Sequence, residues 1–306
     1  MSGSEVASAT SEGDRPVPRR GAIAVGVSLR GHGEAAVRWA AAEARDRGLP
    51  LRLVLGLVIP RGSYPGRSLI GVDPVEGLRA LARRELRDAS RIAHEVAPGV
   101  PVSEDVVESD PVGVLRAQAR TASTVVVGSD GFGRLGDLVL GGIARGLAGR
   151  VDVPVVIVPR DCDPQARERR GGFAPVVVGD DGTPGSLAAL RFAAARAAAR
   201  HAPLVIVRAT TAARRLSEDV PELGSTRPAT VRVVLAEARA DRVLADQARD
   251  AELVVLGVGR HGWAHHHPRT RPDLVLRARC PVVIVPPDRP IAAAAGGTKA
   301  HEGAVT

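Results

Sequence analysis

A cluster of glycines near the middle of the chain has the residue types and spacing of a phosphate-binding loop. The cluster follows the valine run VVVG and consists of Gly128, Gly131, Gly133, Gly136, Gly141 and Gly142. Glycine lets the backbone approach a ligand closely, and a helical pattern that starts near Ile143 offers unsatisfied N–H groups to an anion. Glycine-rich loops also form plain tight turns, so the spacing alone leaves both interpretations open. It is not a P-loop, because no lysine follows the glycines.

The other reactive side chains do not combine into a catalytic or metal site. Ser129 lacks the GxSxG context of a hydrolase, and His32 in GHGE lacks the second histidine of the HIGH signature. The consecutive residues 265–267, all histidine, cannot converge on one metal from regular structure. Cys162 and Cys280 lack CxxC spacing, and the sequence does not predict a disulfide between them. We therefore expect neither catalysis nor a bound metal.

Composition and charge exclude several classes of function. Hydrophobic residues make up 44% and charged residues 25%, which is typical of a globular protein. The formal net charge is +8, but the basic residues alternate with acidic ones and only 2% of residues are aromatic, which disfavours nucleic-acid binding. No apolar run approaches the roughly 20 residues that span a bilayer, and no signal peptide is evident. We expect a cytoplasmic protein that binds neither nucleic acid nor membrane.

The sequence contains an internal duplication. PVVIVP occurs at 154–159 and again at 281–286, and the stretch from Ala35 matches the stretch from Ala188 at a constant offset of 153 residues. A third match pairs STVVVGSD with ELVVLGVG. Three matches in the same order indicate two copies of one domain.

The duplication sets the predicted domain boundaries. We predict domains at 19–160 and 173–287, a charged linker at 161–172, and disordered tails at 1–18 and 288–306. Within each copy, Val/Ile/Leu runs without polar alternation are typical of strands covered on both faces, and Ala/Arg-rich stretches of helical period separate them. The alternation predicts an α/β fold with a doubly wound parallel sheet.

The glycine pattern and the duplication together resemble the universal stress protein family. The residues that carry the resemblance are Gly128-x-x-Gly131, nine residues, and then Gly141-Gly142, between VVVG and a final PVVIVP strand. The resemblance implies a Rossmann-like, five-stranded parallel sheet in the order 3-2-1-4-5 in each copy. It also implies that the tandem copies pair as a pseudo-dimer through their last strands. One branch of the family binds ATP.

For the first copy, the resemblance implies an ATP site with several departures from the family pattern. The residues that it assigns to the nucleotide are Ser28, Val127, Gly128, Asp130, Gly131, Gly141, Gly142 and Ile143. Gly142 stands where the family has a hydroxyl residue, and Ser28 stands in the place of its loop aspartate. Losing one hydroxyl contact costs about 0.5–1.5 kcal/mol, or up to about tenfold in affinity, while the backbone donors remain.

The second copy departs in the opposite way. It keeps the Asp-Gly-Thr sequence at 181–183, which matches the family's loop after the first strand. In its later loop Gly257 remains, but Arg260 replaces the second glycine, and Pro268 and Arg269 stand where the glycine pair should be. A proline there removes an N–H group that would face phosphate. We therefore do not expect this copy to bind a nucleotide.

Two functions remain open at this point. One is a stress-response protein without enzymatic activity, whose first domain binds ATP and whose second domain is structural or regulatory. The other is a nucleotide-free interaction module of the same fold, in which loops and edge strands contact a protein partner or a second copy of the chain. The retained glycines favour the first function, whereas Gly142 and Ser28 favour the second.

Overall fold

The computed structural model describes most of the predicted strands and helices. The described residues are 21–29, 33–59, 74–129, 142–162, 174–209, 218–220, 223, 228–258 and 278–287. They fall into two compact units that divide between Gly128 and Ser129. This division reflects contacts within the folded chain. It does not test the domain boundaries 19–160 and 173–287, which were drawn from the sequence repeat and stay predictions.

The first unit is a four-stranded parallel sheet with helices on it. Its strands are β1 (Gly21–Gly26), β2 (Leu51–Gly56), β3 (Val102–Val107) and β4 (Ala122–Ser129), and its helices are α1 (Glu34–Arg47), α2 (Pro74–Val96) and α3 (Pro111–Gln118). The strands lie in the order β3-β2-β1-β4, and every neighbouring pair is parallel. This confirms the predicted order for the first four strands of the first copy.

The apolar runs form the central strands, whose consecutive side chains are buried on both faces of the sheet. Ile23 in β1 and Val125 in β4 have no exposed surface. Strand β3 lies at the edge of the sheet, and its charged residues Glu104 and Asp105 are exposed. Helix α1 ends at Gly48, whose φ of 60° is left-handed and favours glycine. Sequence and burial therefore agree on where the core of this unit lies.

The second unit contains the last strand of the first copy and all strands of the second. Its elements are α4 (Gly142–Leu147), β5 (Val155–Pro159), β6 (Val176–Gly179), α5 (Pro184–Ala199), β7 (Leu204–Ala209), β8 (Val231–Ala236), α6 (Ala240–Gln247), β9 (Leu253–Gly257) and β10 (Val282–Val285). The strands lie in the order β5-β10-β9-β6-β7-β8. For the second copy this is the predicted 3-2-1-4-5 order.

Strands β5 and β10 form the antiparallel pair of this otherwise parallel sheet. Val282 lies opposite Ile157, and Ile284 lies opposite Val155. These two strands are the duplicated PVVIVP segments, so the last strands of the two copies pair with each other, as the family resemblance implied. The pairing also explains why β5 belongs to the second unit.

The two copies differ in the connection between their second and third strands. In the first copy, β2 and β3 are joined through α2, a helix of 23 residues that packs on both strands and on α1. In the second copy, the segment 210–230 joins β7 to β8 and is shorter than α2 itself. No described helix is long and apolar enough to cross a bilayer.

Candidate functional site

In the first unit, two predicted site segments lie at the carboxyl ends of neighbouring strands. Strands β1 and β4 are parallel neighbours, with Gly26 opposite Val127. Ser28 lies two residues beyond the end of β1, and Gly128 follows Val127 directly. Val127 is buried, whereas Ser28 and Gly128 are half-buried. The carboxyl ends of adjacent parallel strands are where doubly wound sheets bind ligands.

The remaining predicted site residues are only partly within the described chain. Asp130, Gly131 and Gly141 lie outside the described residues. Gly142 and Ile143 belong to the second unit, where they form the first turn of α4, and Ile143 is half-buried. Their assignment to a nucleotide stays a prediction.

At the end of β2, a glycine permits close packing of the third helix. A Cβ atom on Gly56 would lie 2.6 Å from the Cα atom of Pro111, the first residue of α3. The preceding Asp110 caps this helix by accepting a hydrogen bond from the Gly113 N–H at 2.7 Å. Asp110 and Pro111 therefore start α3 against the end of β2.

The acidic residue that follows β3 is neutralised by an arginine. The Nε atom of Arg79 in α2 lies 2.5 Å from a carboxylate oxygen of Glu108, and the same side chain pairs with Glu76 at 2.6 Å. The hydrogen bond from Arg79 lowers the pKa of Glu108, and the carboxylate of Glu108 raises the pKa of Arg79. The charge of Glu108 is therefore balanced within the unit.

In the second unit, the retained Asp-Gly-Thr sequence starts a helix. Thr183 is the N-cap of α5, and its hydroxyl oxygen accepts a hydrogen bond from the Ser186 N–H at 3.3 Å. Gly182 has a φ of +74°, which favours glycine, and Asp181 accepts hydrogen bonds from the Thr183 N–H and hydroxyl. The motif match in this copy is thus accounted for by helix capping.

A buried ion pair that the sequence analysis missed lies beside this loop. The Asp180 carboxylate accepts hydrogen bonds from Arg208 Nε at 2.8 Å, Ser186 Oγ at 2.8 Å and the Gly182 N–H at 3.0 Å. The two charged side chains are only 5% and 13% exposed, respectively. Burial alone would raise the pKa of Asp180, but the three hydrogen bonds outweigh it and hold the pKa below its usual value.

Aligning the two copies with each other reveals this ion pair in the sequence. At the offset of 153 residues, Asp180 corresponds to Val27 and Arg208 to Leu55. Two apolar positions of the first copy have become opposite charges in the second, which is typical of a compensated pair. The spacing along the chain alone gives no such signal.

The glycine that remains in the later loop of the second copy also has a packing role. A Cβ atom on Gly257 would overlap the carbonyl oxygen of Gly185 and lie 2.8 Å from the Ser186 nitrogen. Gly257 therefore lets β9 approach the first turn of α5. Arg260, Pro268 and Arg269 lie outside the described residues.

No described group of His, Cys, Asp or Glu side chains could hold a metal ion. The histidines at 265–267 are not among the described residues. At the carboxyl ends of the strands, Asp110 and Thr183 cap helices, and Glu108 and Asp180 form ion pairs. In the first unit, the carboxyl ends of β1 and β4 lie side by side and contain small and apolar residues.

The fold and the strand geometry thus define the class of protein. It is a doubly wound α/β chain with two sequence copies, and the last strands of the two copies pair antiparallel. The model of the universal stress protein family matches residues 20–159. A universal stress protein of Mycolicibacterium smegmatis is 30% identical over 271 residues, which cover 78% of this chain and 87% of the relative. The chain therefore belongs to the universal stress protein family.

Other relatives support full-length similarity. A universal stress protein of Mycobacterium tuberculosis is 28% identical over 299 residues, covering 86% of this chain and 95% of that protein. The crystal structure of a universal stress protein from Archaeoglobus fulgidus is similar with a TM-score of 0.64 at 16% identity, covering 87% of this chain and 96% of that one. The structural likeness concerns the fold.

Proposed function

We propose that the first copy binds an adenine nucleotide, ATP in particular, without turning it over, and that the second copy is structural or regulatory. The residues assigned to the nucleotide are Ser28, Val127, Gly128, Asp130, Gly131, Gly141, Gly142 and Ile143. Ser28 and Gly128 would lie at the nucleoside end, and the later glycines would donate backbone N–H groups to phosphate. The cytoplasm is the proposed location.

The observation that carries the proposal is a difference between the copies. In the first unit, β1 and β4 are parallel neighbours, so the Ser28 loop and Gly128 lie together at the carboxyl ends of these strands. In the sequence, Gly128 begins the glycine spacing that only this copy retains. In the second unit, Thr183 and Gly257 serve helix capping and packing.

The departures at Gly142 and Ser28 predict weak binding. Each lost side-chain contact costs about 0.5–1.5 kcal/mol, so two losses lower affinity by roughly one to two orders of magnitude. The backbone donors of the glycines do not depend on side chains. Binding is therefore expected to be weaker than in a chain that keeps both side chains.

A titration of the purified chain with ATP tests the proposal. Saturable binding is expected, and Gly131→Asp should abolish it because a carboxylate would repel the phosphates. The matched control is Arg260→Asp, at the corresponding position of the second copy, which should leave the affinity unchanged. Absence of saturation at millimolar ATP, or equal effects of both variants, would remove the proposal.

The alternative is a nucleotide-free interaction module that contacts a protein partner or another copy of the chain. The missing hydroxyl at Gly142 and the missing acid at Ser28 favour it. The two functions differ in whether the chain binds ATP at equilibrium. Equilibrium dialysis of the purified chain against labelled ATP should show saturable uptake under the main proposal and none under the alternative.

A further inference from the structure

The two cysteines of the chain lie at the same end of the antiparallel strand pair. Cys162 follows β5 by three residues, and Cys280 precedes β10 by two. Both are buried, at 6% and 0% exposure. Both are thiols in this structure. In sequence they are far apart, so only the fold relates them.

The strand register places Cys280 near the end of β5. Val282 lies opposite Ile157, and because the strands are antiparallel, Cys280 and Pro159 each lie two residues beyond this pair at the same end. Opposite residues in an antiparallel pair have Cα atoms about 4.5–5.5 Å apart. Cys280 is therefore next to the end of β5.

A turn after β5 returns Cys162 to the same place. The Cys162 N–H donates a hydrogen bond to the Pro159 carbonyl at 3.0 Å, which closes a four-residue turn. Such a turn keeps the Cα atoms of its first and fourth residues within about 7 Å. Because Pro159 is common to both steps, the turn and the register bring the two cysteines into one neighbourhood.

Packing alone does not explain a cysteine at position 280. The duplicated PVVIVP segments align Cys280 with Val153 of the first copy, and Val153 is also buried. A plain apolar side chain thus fills the equivalent position. Valine is therefore also a suitable substitution at 280 for an experiment.

We propose that Cys162 and Cys280 form an intrachain disulfide under oxidation by a peroxide, locking β5 to β10. Cys162, the more exposed thiol, attacks the peroxide oxygen as a thiolate, becomes a sulfenic acid and releases hydroxide, or the alcohol of an organic peroxide. The Cys280 thiolate then attacks the sulfenic sulfur, forms the S–S bond and expels hydroxide. In total, two thiols and one hydrogen peroxide yield one disulfide and two waters. Two electrons pass from the thiols to the peroxide.

The expected effect is a more stable strand pair. A disulfide between these positions closes a loop of more than 100 residues, which removes much of the entropy of the unfolded chain. We expect the thermal midpoint to rise on the order of 10 °C after oxidation and to return on reduction. The proposal does not depend on nucleotide binding.

Non-reducing peptide mapping of the full chain after hydrogen peroxide treatment tests the proposal. A linked peptide that contains both cysteines and has lost two hydrogen atoms is expected, from a chain that stays a monomer in gel electrophoresis. Cys162→Ala and Cys280→Val should each abolish the rise in midpoint on oxidation, measured against the reduced form of the same variant.

Three results would overturn it. These are disulfides between chains only, over-oxidation of Cys162 to sulfinic acid without a link to Cys280, or two thiols that still react with a thiol reagent after denaturation of the peroxide-treated chain. A linked peptide without any rise in midpoint would contradict the lock.

Discussion

Asp180 is a buried charge that stabilises the fold. Its carboxylate accepts hydrogen bonds from Arg208, Ser186 and the Gly182 backbone, so three segments meet on one side chain. Because the folded-state pKa lies below the unfolded value near 3.9, the charged form stabilises the fold. That stabilisation is complete above the unfolded pKa and is lost as pH falls through the folded one.

Asp180→Asn tests this account at the scale of one residue. The variant should lower the free energy of unfolding at pH 7 by roughly 2–4 kcal/mol, because Arg208 loses its buried partner. Its thermal midpoint should also fall less steeply than that of the wild type as pH drops below about 4. Thermal unfolding followed by circular dichroism between neutral and acidic pH measures both effects.

The control for this variant is Asp246→Asn. Asp246 pairs with Arg249 at 3.1 Å, but both side chains are largely exposed, so the change should be within about 0.5 kcal/mol. Equal effects of the two substitutions would show that the Asp180 network contributes nothing beyond a surface pair.

At the scale of elements, Gly257 sets the distance between β9 and α5. Gly257→Ala should destabilise the fold by at least about 2 kcal/mol, because the new methyl group overlaps the Gly185 carbonyl and neither backbone can yield without moving an element. Gly77→Ala in α2 is the matched control. No atom lies within 4 Å of its Cβ position, and alanine favours a helix, so stability should rise by about 0.5–1 kcal/mol.

Chemical denaturation of both glycine variants checks this prediction. A stable, unchanged Gly257→Ala protein would mean that the glycine is not required for packing. Its persistence in the second copy would then need another explanation, and the argument that this copy keeps its motif residues for the fold would fail.

The elements were largely predictable from sequence, for a physical reason. Strands such as β1 and β4 are covered on both faces, so they form unbroken apolar runs in the sequence, and their order in the sheet came from the family resemblance. The Asp180 and Arg208 pair was not predicted, because it depends on which residues of β6 and β7 end up side by side. The two copies did contain the signal, as opposite charges at positions that are apolar in the first copy.

The nucleotide assignment itself stays a prediction. Ser28, Val127 and Gly128 lie at the same ends of neighbouring strands because β1 and β4 are adjacent and parallel, an adjacency that the family resemblance implied. The roles of Gly182, Thr183 and Gly257 were not evident, because a motif match cannot distinguish a ligand contact from a helix cap or a close approach. Those distinctions need distances.

For the whole molecule, the central claim is that two copies of one fold have diverged in what their glycines do. The first copy keeps a spacing suited to phosphate, while the described motif residues of the second serve its own packing. The antiparallel pairing of β5 and β10 joins the end of one copy to the end of the other. Belonging to the universal stress protein family makes nucleotide binding a natural hypothesis, and the divergence makes it a hypothesis about one copy.

The stoichiometry of ATP binding tests this claim most directly. Isothermal titration calorimetry at saturating ATP should give one nucleotide per chain, and this value should fall to zero in Gly131→Asp. Two nucleotides per chain, or none in the wild type, would contradict the account.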